Sequence, residues 1–318
     1  MSGTEIDVPP REQTICAIFV TYYPDGQFSE RLARIIAQVD HIIIVDNHSN
    51  EEAVRMLRTL CAEINGELIE NEGNLGIATA LNQGIRRAIE LGYFWAITFD
   101  QDSWPDEDLI KTLSEIYASS PEPWKVKMIG SNYRSPITGG PILSFKNMTS
   151  PSFAERKVVI TSGTLMCLEA YKEVGPFRDD FFIDLVDHEY CLRIRSHGYK
   201  VLISCKVLIT HSLGNESFHR FLWGQVCYNH SPLRKYYITR NCLTTCNLYK
   251  YKEPWWVVRR FGGMFKEVLL VVFFERKKLE KIQAILLGVR HAISGCMGRL
   301  QSNCLNEHWN RLISHDIK

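Results

Sequence analysis

Four short runs, three of them rich in β-branched and aromatic residues, most constrain how this chain can fold. They are residues 15–23 (ICAIFVTYY), 41–47 (HIIIVDN), 67–71 (ELIEN) and 94–100 (FWAITFD). Between them lie segments with helical spacing, at 29–39, 50–60 and 77–91, and a further one follows at 105–120. Leu32, Ile35, Ile36 and Val39 share one helical face, and Asn50 is suited to cap the second helix. Strand and helix in strict alternation imply an α/β fold: a Rossmann-like, mostly parallel sheet flanked by helices. Three of the strands end in polar residues, Asp46-Asn47, Asn71 and Asp100. Ligands of such sheets sit beyond the carboxyl ends of the strands, so these side chains are expected around one crevice.

Further along, residues 121–157 are rich in Pro, Gly, Ser and Thr and read as an extended loop or short strands. Residues 158–171 return to strand followed by helix. A helix over 187–196 stops at His197-Gly198, and 201–211 (VLISCKVLITH) reads as a strand pair. The character changes after about residue 230. Residues 250–300 hold 11 lysines and arginines against 4 acidic residues, a net of +7, interleaved with Trp255, Trp256, Phe261, Phe265, Phe273 and Phe274. That pattern fits either a patch that meets a membrane surface or the solvated face of ordinary packed helices. The expected organisation is a polar tail at 1–14, a catalytic-type α/β domain at 15–230 and a basic, aromatic-rich helical extension at 231–318.

The whole chain, 318 residues with 37 Lys+Arg against 36 Asp+Glu, is close to neutral at +1. It therefore lacks the global basic field with which nucleic-acid binders neutralise phosphates. Its ten cysteines include no CxxC pair, so neither a zinc ribbon nor a redox motif is indicated. The first residues lack the basic-then-apolar layout of a signal peptide, and the expectation is a cytoplasmic protein with free thiols. The most apolar stretch, 255–274, is interrupted by Arg259, Arg260, Lys266 and Glu267 and is not expected to span a bilayer.

Chemistry is concentrated at Asp100-Gln101-Asp102, directly after the fourth apolar run. Two carboxylates one residue apart at a strand end can converge on a hard cation that also meets substrate phosphates. Capping of the next helix is the alternative, and it would account for Ser103 and Asp106 better than for Asp100. The turn NEGNLG (71–76) leads into a helix whose amino end and backbone N–H groups suit an anion, and it would serve equally as a tight connecting loop. It matches neither GxGxxG nor GxxxxGK[ST]. Asp184, Asp187 and Glu189 gather where a helix begins. A carboxylate there can act as a general base, or the group can simply pair with the helix dipole, Glu189 facing Arg193 one turn on. His211 closes an apolar run as a structural histidine or a third metal ligand.

With these pieces in hand, the chain resembles the family 2 glycosyltransferases of GT-A fold, and within them the bacterial rhamnosyltransferase group. The resemblance rests on TYYPD (21–25), IIIVDNHSN (42–50), NEGNLGIATALNQGI (71–85), FDQDS (99–103), the stretch from TSGTLMC to SHGY (161–199), THSLG (210–214) and SPLRKYYITRN (231–241). It implies that Thr21 and Tyr23 line the nucleotide pocket and that Asp46 meets the base or ribose. It further implies that Asn74, Asn82 and Gly84 shape the donor site, and that Asp100 faces the ribose while holding, with Asp102, a divalent metal (Mg²⁺ or Mn²⁺). Asp187 would be the catalytic base and His211 a ligand of the metal or diphosphate. The chain departs from the family pattern at Val186, where a second carboxylate is usual, and at His48, where glycine is more familiar. The implied reaction is inverting transfer of a sugar, L-rhamnose from dTDP-β-L-rhamnose first among the candidates, to a saccharide acceptor carried on a lipid. The implied setting is bacterial surface polysaccharide (O-antigen or capsule) synthesis on the inner face of the cell membrane. Galactofuranose or glucose donors are rivals within the class. A nucleotidyltransferase would carry a glycine-rich, basic fingerprint where this chain has TYYPDGQ, and a catalytically silent sugar- or nucleotide-binding module is the rival from another class.

Overall fold

A computed structural model of the chain describes residues 14–135, 140–141, 143, 152–211, 217–219, 225–227 and 229–300. The elements run β1 (Ile15–Thr21), α1 (Phe28–Ile36), β2 (His41–Asp46), α2 (Glu51–Ile64), β3 (Glu67–Glu70), α3 (Ile77–Glu90), β4 (Trp95–Asp100), β5 (Trp104–Pro105) and α4 (Leu109–Ser119). They continue with β6 (Val126–Arg134), β7 (Phe153–Glu155), β8 (Thr164–Cys167), α5 (Leu168–Val174), α6 (Val186–Ser196) and β9 (Lys200–Thr210). A short hairpin follows, β10 (Ser217–His219) with β11 (Gln225–Cys227), and then α7 (Pro232–Tyr249), α8 (Pro254–Phe274) and α9 (Lys278–Ser294). The chain forms two compact units. One holds Met1–Phe177 with Tyr190–Ser212, the other Arg178–Glu189 with Leu213–Lys318.

The first unit is built on a sheet in the order β3-β2-β1-β4-β8-β6-β9-β5, with β7 also paired to β9. β3, β2, β1 and β4 are mutually parallel, as the alternation of strand and helix requires. β8 is antiparallel to both β4 and β6, while β6 and β9 are parallel. Every residue of β1 is buried, and its Phe19 stacks on Phe99 of β4 at 4.8 Å and meets Phe28 of α1 edge-on at 5.7 Å. Burial pushes the Cys16 thiol up to about 12, so this cysteine behaves as a core hydrophobe.

Several elements differ from the sequence-based expectation. β6, nine residues long, lies inside the stretch read as an extended loop or short strands, because polar residues interrupt its apolar run. Lys127 is buried with its ammonium 5.3 Å from the Tyr199 ring, Ser131 donates to the Gly163 carbonyl at 2.6 Å, and Asn132 donates to the Leu143 carbonyl at 3.0 Å. The stretch read as a strand pair at 201–211 forms one long strand, β9 (Lys200–Thr210), whose register with β6 shifts three times. Pro105 belongs to an edge strand, where its missing N–H costs nothing, and the next helix starts at Leu109.

The second unit packs α7 against α9 around Tyr236, Tyr237, Ala284 and Leu300. Gly288 permits the approach: a Cβ there would lie 2.7 Å from the Tyr236 carbonyl oxygen and 3.0 Å from Thr239 Cβ. Arg178–Glu189 belongs here because α7 grips its backbone. Arg240 donates to the carbonyls of Asp180 and Phe181, each at 3.1 Å, and Asn241 donates to those of Phe181, Ile183 and Asp184 at 2.9, 2.8 and 3.0 Å. The chain thus divides at 177, 189 and 212, and the boundary expected at 230 falls inside the second unit. No helix of the described residues is long and apolar enough to cross a membrane.

Candidate active site

Sheet register assembles the acidic site of the first unit. β5 pairs antiparallel with the end of β9, Trp104 opposite Thr210, which sets Asp102 and Ser103 beside His211. Asp100 ends β4, its backbone N–H donating to Ser162 Oγ at 3.2 Å. His211 Nε2 lies 3.6 Å from Asp100 Oδ2, and its Nδ1 lies 3.2 Å from Asp102 Oδ1 and 2.9 Å from Ser103 Oγ. Ser103 Oγ is in turn 2.6 Å from Ser162 Oγ. One ligand atom from each of Asp100, Asp102 and His211 falls within 4.8 Å of the others. Two half-exposed carboxylates and a buried imidazole fit a divalent cation that also takes oxygen ligands from a phosphate. Ser103, at Nδ1, is placed to orient the ring and leave Nε2 for coordination. The chain order Asp-x-Asp indicated the two carboxylates, but no spacing rule links Ser103 or Ser162 to His211.

At the carboxyl ends of β1 and β2, Thr21 donates to Asp46 Oδ1 at 2.9 Å. Asp46 also accepts from the Ser49 hydroxyl and backbone N–H at 2.5 and 2.7 Å, so this buried carboxylate organises the turn after β2. Tyr23 stands in the left-handed region at φ 53°, half-exposed, with its N–H donating to Ser49 Oγ at 2.7 Å. His48 is also left-handed, φ 75°, which accounts for the glycine more familiar there. Gln101, between the two aspartates, brackets the Tyr22 backbone, accepting from its N–H at 2.6 Å and donating to its carbonyl at 3.0 Å. The loop before the first strand's helix is thereby tied to the Asp100–Asp102 turn, a connection that sequence spacing does not display.

The 71–76 turn is held by asparagines. Asn47 Oδ1 accepts from Leu75 N–H at 2.9 Å, Asn74 Oδ1 accepts from Gly76 N–H at 3.0 Å, and Asn47 Nδ2 donates to Asn74 Oδ1 at 3.1 Å. Asn71 and Gln83 exchange bonds of 2.9 and 2.8 Å. The N–H groups of 75 and 76, expected to be open to an anion, are therefore engaged by side chains.

Asn82 and Gly84, which the resemblance implies help shape the donor site, both lie in the packing beneath the strand ends. Asn82 is wholly buried, donating to the Phe177 carbonyl at 2.8 Å while its oxygen accepts from Phe177 N–H and Tyr171 Oη at 2.9 and 2.7 Å. A Cβ on Gly84 would stand 2.5 Å from Ile18 Cγ2, so this glycine seats α3 on the sheet.

In the second unit, Asp187 lies in the first turn of α6, and its Oδ1 accepts from the His188 N–H at 2.8 Å. Burial raises its carboxyl to about 6, against the His188 N–H bond and the lesser pull of the Arg260 guanidinium. Burial, with Arg260 adding to it, drives His188 down to about 3, so its ring stays neutral. Asp184 is also raised by burial, with Arg234 opposing through contacts of 3.1–3.2 Å. Phe182, Asp184 and Leu185 all have left-handed backbones, φ 65°, 64° and 61°. That strained turn is the one held by Arg240 and Asn241, which gives the end of SPLRKYYITRN a role its sequence did not disclose. Glu189 accepts from Tyr249 Oη at 2.9 Å, and Arg193 donates to the Pro176 carbonyl at 2.6 Å.

Residues 18–122 match the family described as Glycosyl transferase family 2. The chain is 29% identical over 298 residues to the dTDP-rhamnosyl transferase RfbF of Shigella flexneri, covering 89% of this chain and 97% of that one. Its structure is similar to residues 1–349 of S. aureus TarS, with a TM-score of 0.57 at 11% identity over 88% of this chain and 81% of that one. It is also similar to the mannosyltransferase PcManGT from Pyrobaculum calidifontis, solved with GDP-Man and Mn²⁺. There the TM-score is 0.55 at 13% identity, over 91% of this chain and 90% of that one.

Proposed function

We propose a donor, an acceptor and a division of labour from one premise: the chain belongs to the family 2 glycosyltransferases, has the GT-A fold and is an enzyme that transfers a sugar from a nucleotide donor. The donor is dTDP-β-L-rhamnose. Similarity to a dTDP-rhamnosyl transferase over nearly the whole of both chains supports it. The acceptor is a saccharide hydroxyl on a lipid-linked chain in bacterial surface polysaccharide (O-antigen) synthesis, met on the inner face of the cell membrane by the basic helices of the second unit.

Asp100, Asp102 and His211 hold Mg²⁺ or Mn²⁺ in this reading, and the observation that carries it is their convergence within 4.8 Å. A divalent cation bound there supplies charge neutralisation for the departing diphosphate. Asp46, Asn74, Thr21 and Tyr23 shape the nucleotide pocket at the strand ends. Asp187 takes the proton from the acceptor hydroxyl as that oxygen bonds to the anomeric carbon. The bond from that carbon to the diphosphate oxygen breaks in the same step, with inversion and release of dTDP. No covalent sugar–enzyme intermediate forms.

Calorimetric titration of dTDP and UDP, with and without Mn²⁺ or Mg²⁺, tests the donor site. The expected result is metal-dependent binding that favours dTDP and collapses in Asp102→Asn. A preference for UDP would move the donor to another sugar nucleotide. Folded protein that binds neither nucleotide would overturn the donor-site assignment.

A further inference from the structure

Within the second unit, α8 has two unlike faces. At ~100° per residue, Trp256, Arg260, Glu267 and Val271 fall together. Trp256 and Val271 are buried, Trp256 meets the His188 ring edge-on at 6.1 Å, and Glu267 pairs with Lys235 at 3.0 Å. On the opposite side, Trp255, Val258, Phe261, Phe265, Leu269 and Val272 fall within an arc of about 120°. All six are exposed, Trp255 to 78% and Phe265 to 68%. A Cβ at Gly262, on the same face, would meet nothing within 4 Å. An apolar stripe running the length of a 21-residue helix is more than the scattered exposed residues of an ordinary surface.

Charge identifies what covers the stripe. Arg259 and Lys266 are exposed along one edge, and Arg276, Lys277 and Lys278 are exposed in the turn beyond the helix. The neighbouring acids are turned inward. Glu275 is buried between Lys235 at 3.0 Å and Lys281 at 2.7 Å, and Glu267 is bonded to Lys235. The border of the stripe is therefore cationic, which opposes pairing with a second copy of the same face and matches an anionic partner.

We propose that this face of α8 lies on an anionic phospholipid surface, its aromatic rings at the boundary of headgroups and acyl chains and Arg259, Lys266 and the 276–278 cluster among the phosphates. The helix rests on the bilayer and does not cross it. The inference rests on the reading that the acceptor is lipid-linked, and it names the surface through which that acceptor is met. The inner face of the same helix carries Arg260, whose charge acts on Asp187. The element seated on lipid is thus also the one that tunes the proposed base.

Flotation of the full chain with phosphatidylglycerol/phosphatidylethanolamine vesicles and with phosphatidylcholine vesicles tests this. Binding is expected to the anionic vesicles alone. The double change Phe261→Ser and Phe265→Ser should abolish it, and Lys266→Glu, at an exposed position, should weaken it by more than about fivefold. Failure of the wild type to float, equal binding to both vesicle types, or a solution dimer abolished by Phe265→Ser would overturn the proposal. Nucleotide calorimetry on the same preparations separates the two readings: metal-dependent nucleotide binding without flotation removes the lipid face alone, and flotation without nucleotide binding removes the donor site alone.

Discussion

A carboxyl held near 6 suits proton abstraction around neutral pH, and Asp187, the proposed base, owes that value to burial set against backbone N–H bonds, the His188 N–H first, and the Arg260 guanidinium. The sign of the pH effect follows from its role. The base works when ionised, so kcat/KM for transfer should climb as pH rises through about 6 and level above it. Asp187→Asn should remove that limb and lower the rate ~10²–10⁴-fold while leaving nucleotide affinity unchanged. Arg260 favours the ionised form, so Arg260→Met should move the limb to higher pH. A profile that stays where it was, or moves down, would show that the guanidinium does not act on the base.

At the scale of elements, α7 keeps a strained turn in place. Left-handed residues other than glycine cost on the order of 1 kcal/mol each, and Phe182, Asp184 and Leu185 persist because Asn241 bonds three carbonyls between 181 and 184. Asn241→Ala leaves those buried acceptors without that donor. Urea unfolding should report a loss of about 2–4 kcal/mol, and kcat should fall while the donor KM holds, because the turn leads directly into Asp187. Unchanged stability would mean the turn is held otherwise. The same contrast explains what was legible beforehand. β1, β2 and β4 announced themselves as apolar runs because each is buried on both faces, and Asp100 and Asp102 stood out because they follow one of those runs. β6 was hidden by Lys127, Ser131 and Asn132, polar residues whose partners come from other strands and loops. The roles of Gln101 and Ser103 were hidden for the same reason: they act on groups 79 and 108 positions away in sequence, which only the tertiary structure brings near. At Asn82 and Gly84 a motif records that a residue type is required without recording that packing contacts also require it.

For the whole molecule, near-neutrality conceals a separation of charge. The chain is +1 overall, residues 250–300 carry +7, and the remaining residues therefore carry −6. A molecule with that sum spread evenly would have little electrostatic reason to approach a negative surface, whereas this one has a cationic region and an anionic remainder. The consequence is a measurable dependence on salt. Ions shorten the reach of exposed charges from about 10 Å at 0.1 M to about 3 Å at 1 M, but they do not weaken burial of apolar side chains. Binding to phosphatidylglycerol-containing vesicles should therefore fall steeply as NaCl is raised from about 0.05 to 0.5 M. It should then reach a floor set by Trp255, Phe261 and Phe265, and that floor should disappear in the Phe261→Ser, Phe265→Ser protein. Sedimentation with vesicles across the salt series reads both parts. Binding indifferent to salt would mean that the cations at 259, 266 and 276–278 face water rather than lipid, and binding abolished by salt would mean that charge acts alone and the aromatic face of α8 takes no part.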